Sequence, residues 1–319
     1  MNKIKTTYIN GEQDNYNYYI YIENKDPNMP EIALLTDSVS DLIPEDIIGL
    51  PIKIVPLKID LNGELLKDGV EMSKDEFWQK MVNSRDEEDL KLKTSQPSPQ
   101  DFLNAYNKLF EKGYKKIISV HPSSKLSGTA QAARVGRSLT NREDDIELID
   151  SMGGSLLQGI LVLEAAKKAV KKESFGEIIN WINSYKNKGK LLMIIPDLKY
   201  LEKGGRIGKA GSAIAGMIQL KPILTVSQGE VTIEKKVIGE RNAQKYIEKY
   251  VKDESRKQSL VVCTCWGGGP EELENISKIH SEIGESSKIT FAILNRQIGA
   301  VIGCHTGPVY GVFMFPKLS

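Results

Sequence analysis

Short apolar runs alternating with capped, amphipathic segments constrain this chain more than any other feature. Ile32–Leu35, Ile117–Val120 and Ile146–Ile149 are nearly unbroken stretches of aliphatic residues. Their brevity and composition fit strands covered on both faces, as in a parallel sheet. Helix-like segments lie between them. Ser98 can cap one, Pro99 suits its first turn, and Asp101 sits near the positive end of its dipole. Phe102, Leu103, Tyr106, Leu109 and Phe110 then form one apolar stripe, and Gly113 stops it. Ser73 and Glu76 form a capping-box pattern ahead of Phe77, Trp78 and Met81. A serine-rich loop and a small-residue helix with Ala130, Ala132 and Ala133 follow the Ile117–Val120 run. Strands alternating with helices predict an α/β fold with right-handed crossovers. Ile52–Ile59 is a further strand-like run, in which Pro51 and Pro56 predict a sheet edge or a bend.

The second half has a mixed pattern. A long helix places Leu156, Leu157, Ile160, Leu163, Ala166 and Val170 on one broad face. Leu191–Ile195, Val231–Val237, Ser259–Cys265, Ile289–Leu294 and Val309–Phe315 read as strands, and Gly267-Gly268-Gly269-Pro270 leads into another helix. With 319 residues, the prior is about two domains. The expected division is an extension over 1–30, an N-terminal α/β domain over 31–160 with a mainly parallel sheet, and a C-terminal α/β domain over 161–319 with a mixed sheet. Residues 1–30 are polar and rich in tyrosine and asparagine; they read either as an added β-hairpin or as a loosely held extension.

Bulk chemistry narrows the function. Lys plus Arg is 43 and Asp plus Glu is 42, so nothing in the overall charge points to nucleic acid. Cys263, Cys265 and Cys304 make an odd set, and Cys263 and Cys265 share one face of a strand, which reads as buried thiols. A metal site needs more ligands than these and three histidines supply. No stretch reaches the ~20 apolar residues of a membrane span, and no signal-peptide core follows Met1; the expected location is cytoplasmic.

Five polar segments carry the chemistry: Thr36-Asp37-Ser38, Thr94-Ser95-Gln96-Pro97, Ser123 to Thr129, Gly204-Gly205-Arg206-Ile207 and His305-Thr306-Gly307-Pro308. The first reads as a polar strand end or a helix cap. Thr94 and Ser95, just before a helix, read as anion donors or as a polar turn. The serine-rich segment sits where phosphate loops sit but lacks the nucleotide-binding glycine–lysine pattern. Arg206 either holds a loop through carbonyls or a carboxylate, or faces a phosphate or a partner protein. His305, in a tight glycine-flanked turn, reads as a ligand contact, with Thr306 beside it. His121 reads as a structural hydrogen bond and His280 as a surface residue. Ala213–Leu220 reads as core or as the wall of an apolar tunnel. An acyl hydrolase or transferase using Ser127 and His305 is the alternative, but no nucleophile elbow surrounds Ser127 and no orienting acid is identifiable.

Taken in order, these segments resemble the DegV family of bacterial fatty-acid-binding proteins. The matching residues are Thr36-Asp37-Ser38-x-Ser40-Asp41-Leu42, Thr94-Ser95-Gln96-Pro97-Ser98, Ser123-Ser124-x-Leu126-Ser127-Gly128-Thr129, Ile149-Asp150-Ser151, Lys203-Gly204-Gly205-Arg206-Ile207, Lys221-Pro222-Ile223-Leu224 and His305-Thr306-Gly307-Pro308. The resemblance spans residues 31–319. It implies two α/β domains with a long-chain fatty acid between them, and a carboxylate held by Thr94, Ser127 and His305. It also implies a separate fatty acid kinase that phosphorylates the carboxylate for phospholipid synthesis, with Arg206 near the mouth of the site. The chain is then a carrier that needs no cofactor, and transient contact with a membrane surface is compatible with that role. Three stretches depart from the family pattern: Val309-Tyr310, Lys235 to Glu240, and Met152-Gly153-Gly154.

Overall fold

A computed structural model describes residues 29–84, 91–211, 220–284 and 288–317. The N-terminal extension, save its last two residues, and nearly all of the Ala213–Leu220 segment lie outside the described residues. In chain order the elements are β1 (Ile32–Asp37), β2 (Ile52–Val55), β3 (Lys58–Leu61), β4 (Glu64–Lys67), α1 (Lys74–Asn83), β5 (Leu92–Ser95) and α2 (Pro99–Glu111). Next come β6 (Lys116–His121), α3 (Thr129–Ser138), β7 (Ile146–Asp150), α4 (Leu156–Val170), α5 (Phe175–Tyr185), β8 (Lys190–Ile194) and α6 (Lys199–Lys203). The chain continues through β9 (Leu220–Ser227), β10 (Glu230–Ile238), α7 (Glu240–Lys257), β11 (Leu260–Gly267), α8 (Pro270–Ile283), β12 (Ile289–Gln297), α9 (Ala300–Thr306) and β13 (Val309–Pro316).

Among the described residues the strands form three sheets. The first is parallel throughout, in the order β2-β1-β6-β7, with Ile32 opposite Lys116 and Leu35 opposite Ser119. The second is mixed, in the order β10-β9-β8-β13-β11-β12; only the β11–β12 pair is parallel. This is the mixed α/β architecture that the alternation of elements predicts. The third, β4-β3-β5, is small and antiparallel, and periodicity did not show it. Pro56 splits the single run expected over Ile52–Ile59. One part becomes the edge strand β2, and the other becomes β3 in the small sheet.

Local caps behave as their sequences dictate. Ser73 and Ser98 each accept a hydrogen bond from the N–H three residues on, and Glu76 and Asp101 reach back to the caps. The α2 stripe buries Phe102, Ala105, Tyr106 and Leu109. Gly136 of α3 lets α2 approach, because a Cβ there would stand 2.6 Å from the Phe102 Cβ.

The long helix differs from its expected single face. In α4 every residue from Leu156 to Leu163 is buried, and the exposed side is confined to its last turns. A helix that is apolar all round is buried all round. Here β1 covers one side, and Gly159 lies so close to the Ser40 carbonyl that a Cβ would stand 2.4 Å from it. Leu157 packs at Gly189 beside Phe315 of the second sheet. One apolar core therefore runs from Ile32 and Leu34 through α4 to Leu191, Phe313 and Phe315. The expected division at residue 160 falls inside this helix.

Candidate functional site

The small antiparallel sheet places Thr94. Its pairing sets Thr94 opposite Ile59, and α9 packs across β3 and β5. His305 is in the last turn of α9, so it is helical and not part of the tight turn its glycine neighbours suggest. Gly303 lets α9 seat against Phe77 and Trp78, since a Cβ there would stand 2.4 Å from Phe77 Cε1. The outcome is a contact between two distant segments: Thr94 Oγ1 lies 2.8 Å from His305 Nε2.

The electrostatics of this pair are specific. Burial, and then the Arg206 guanidinium, push the His305 imidazolium down to about 4, so the ring is neutral at pH 7. Its Nδ1 is buried and has no hydrogen-bond partner among the described residues. A neutral ring has one N–H. Placing it on Nδ1 would bury an unmet donor, whereas placing it on Nε2 lets it donate to Thr94 Oγ1. The second assignment leaves the Thr94 hydroxyl proton free to point at a ligand oxygen.

The serine-rich loop closes on the same place. Asp150 Oδ2 accepts from Ser124 N at 3.0 Å, and Ser123 Oγ donates to Gly229 O at 2.8 Å. Ser127 Oγ lies 2.8 Å from Thr129 Oγ1. Gly128 abuts the Gln96 side chain, where a Cβ would stand 2.3 Å from Oε1. Arg206 donates from Nε to Leu126 O at 3.2 Å and from Nη1 to Gly204 O at 2.6 Å. Of the readings open for Arg206, carbonyl bonding is therefore met, and the half-buried guanidinium lies close enough to depress His305. Gly204 in turn faces the imidazole, with a Cβ position 2.4 Å from Nδ1. The contacts thus run in a ring: Thr94, His305, Gly204, Arg206, Leu126, Gly128 and Gln96, which is two residues from Thr94.

The other expected residues fall as follows. Ser95 is exposed on β5. Thr306 is buried, and its hydroxyl donates to Ile302 O at 3.2 Å and lies 2.9 Å from Gly307 O. Thr36-Asp37-Ser38 is consumed by internal bonds. Thr36 Oγ1 donates to Val120 O, Asp37 Oδ1 accepts from Val39 N, and Ser38 Oγ accepts from Leu57 N. His121 lies 2.7 Å from Asp37 Oδ2 and 2.7 Å from Ser119 Oγ, which is the structural role expected. His280 is not a plain surface residue; its ring packs edge-on against Phe291 at 4.4 Å. The three cysteines are buried, and burial raises their thiols. Sequence reasoning missed Gly204 and Gln96, whose signal was only their place inside motifs. Among the described residues Ser127 Oγ bonds Thr129, His305 Nε2 bonds Thr94, and no carboxylate orients His305 Nδ1, so Ser127 and His305 are not hydrogen-bonded as a hydrolytic pair.

Residues 31–317 match the family described as "Uncharacterised protein, DegV family". The chain belongs to the DegV family. It is similar to a DegV domain-containing protein of Caldanaerobacter subterraneus, at 34% identity over 91% of this chain and 100% of the relative. Among solved structures it is similar to the DegV family protein of Thermus thermophilus described for its fatty acid binding. That likeness has a TM-score of 0.82 and 28% identity over 91% of this chain and 100% of that one. It is also similar to DegV, a fatty acid binding protein from Bacillus subtilis, with a TM-score of 0.79 and 25% identity over 91% and 100% of the two chains. Within the DegV pattern, the departure at Val309-Tyr310 is divided by strand alternation. Val309 joins the core around α4, while Tyr310 faces α7 and α8 and donates to Glu240 Oε1 at 2.8 Å. The bulky ring is therefore on the sheet face opposite that core.

Proposed function

We propose that this chain binds a long-chain fatty acid between its two α/β halves. Thr94, Ser127 and His305 hold the carboxylate, Ser95 and Thr306 flank them, and Arg206 stands near the mouth. The observation that carries the reading is the Thr94–His305 pair, with its neutral imidazole and a hydroxyl proton left over for a ligand oxygen. The fatty acid binding described for the Thermus thermophilus and Bacillus subtilis relatives supports the ligand class. Acyl burial contributes about 0.8 kcal/mol per methylene, so the tail supplies most of the affinity. Hydroxyl donors, at about 0.5–1.5 kcal/mol each, orient the head without clamping it.

A weakly held carboxylate suits transfer. In this reading the chain is a cytoplasmic carrier, not an enzyme, and presents its ligand to a separate fatty acid kinase for acyl-phosphate formation. Loading and unloading involve brief contact with a membrane surface. No described helix is long and apolar enough to cross a membrane. Mass spectrometry of lipid extracted from the purified protein tests the ligand; recovery of water-soluble metabolites alone would refute it. Incubation with a fatty acid kinase and ATP tests the partnership: acyl-phosphate forms with the native protein and drops about tenfold with Thr94→Val or Ser127→Ala. Rapid hydrolysis of an activated acyl ester, lost in Ser127→Ala, would favour an enzyme instead.

A further inference from the structure

Four consecutive residues of the second half, Arg296 to Gly299, each bond to a residue of the first half. Arg296 Nη2 donates to both Asp46 carboxylate oxygens at 2.7 and 2.9 Å. Lys74 Nζ donates to Gln297 O at 3.0 Å, and Trp78 Nε1 to Ile298 O at 2.7 Å. Gly299 N donates to Asp41 Oδ1 at 2.6 Å, and the Asp68 carboxylate lies by the Ala300 amide. Asp41 is 1% exposed, has a left-handed backbone at φ 56°, and is braced by Ser155 Oγ on its other oxygen. Gly299 is pressed against Asp41, since a Cβ there would stand 2.8 Å from its Oδ1, with Asp68 Oδ2 in ordinary contact at 3.8 Å. This seam runs directly into α9, whose other end carries His305.

We propose that Asp41 and Asp68 are positioning residues of the head-group site. Asp41 holds the Gly299 amide and Asp68 packs beside it, and together they fix where α9 starts and hence where His305 meets Thr94. The inference rests on the carboxylate-binding reading above. A helix rises about 1.5 Å per residue, so a one-residue slip at the seam breaks a bond as short as the Thr94–His305 contact.

The charges around the seam give the device a signature. Asp68 faces Asp41, Lys74, Ser38 and, from α9, Cys304. Burial first, with Asp41 beside it, raises the Asp68 carboxyl to about 7, against the pull of Ser38, Lys74 and the Ala300 amide. Cys304 stays a neutral thiol, and His305, facing Thr94 and Arg206, titrates at about 4. A change in the His305 ring near pH 7 therefore reports Asp68 and not His305 itself.

The test is NMR titration of the imidazole signals in the ligand-free full chain, assigned by comparison with His305→Gln, alongside binding of a fluorescent C16 fatty acid. In the native protein His305 shows a main step at about 4 and a smaller inflection at about 7. Asp68→Asn removes the inflection. Asp41→Ala moves the main step above about 5 and weakens binding about tenfold or more. If the alanine variant does not fold, Gly299→Ala takes its place, because a Cβ there would stand 2.8 Å from Asp41 Oδ1 and displace the same amide. Val251→Ala, in the remote α7 core, lowers stability without moving either His305 feature. Unchanged His305 titration in folded Asp41 and Asp68 variants overturns the proposal. Failure of the native protein to bind any fatty acid defeats the functional reading, while the NMR arm still judges the seam.

Discussion

His305 is a histidine kept neutral by its surroundings, and its stability consequence has a definite sign. Its folded value, about 4, lies below the ordinary 6.5, so the folded state disfavours the charged ring. Its stabilising contribution is complete above pH 6.5 and is lost as pH falls through 4. The full loss is on the order of 3 kcal/mol, of which about 2 kcal/mol falls between pH 7 and pH 4.5. Urea unfolding at pH 7 and pH 4.5 should show it, and His305→Gln should flatten the difference. Gly204 offers a second residue-scale test. Its backbone is ordinary helical, yet a Cβ would press on His305 Nδ1. Gly204→Ala should therefore cost acyl affinity about tenfold with little change in melting temperature. An affinity equal to that of the native protein would mean the imbedded ring can move freely.

At the scale of elements, close approach of α2 and α3 depends on one missing side chain. A Cβ at Gly136 would meet the Phe102 Cβ at 2.6 Å and the Pro99 carbonyl at 2.7 Å, and backbone cannot yield as a side-chain tip can. Gly136→Ala should destabilise by about 1–3 kcal/mol, read from the urea midpoint. Ser98→Ala should cost about 1 kcal/mol through the lost cap. Both effects were half legible beforehand. The α2 stripe and its Ser98 cap are local patterns, and the structure has both. By contrast β5 has only Leu92 as a strong apolar residue, so nothing local marks Thr94 and Ser95 as strand, and they read as anion donors before a helix or as a polar turn. Their strand state comes from pairing with β3, which lies outside any short window.

For the whole molecule, the seam at Arg296 to Ala300 is one of the places where the halves are fastened, beside the shared α4 core and the Arg206–Leu126 bond. The Arg296 side chain is 9% exposed and Asp46 is its carboxylate partner. Asp46→Ala leaves a guanidinium nearly out of water and should cost about 3–5 kcal/mol in chemical unfolding. A loss near zero would mean water reaches Arg296 once the partner is gone. If the chain carries an acyl ligand, stripping the lipid should lower the melting temperature. Ligand restored at about 100 times its Kd should return about 2.7 kcal/mol.

The order of strands and helices, the serine caps and the family motifs were available from sequence, because capping and periodicity act within a few residues. Tertiary structure alone decided which hydroxyls meet. Thr36-Asp37-Ser38 had the same polar look as Thr94-Ser95, yet its groups are spent on Val120, Val39 and Leu57. Thr94 is instead brought by sheet pairing to His305, 211 positions away. Local chemistry can nominate such groups, but only packing settles whether a buried polar atom is satisfied by its own backbone or left to face a ligand.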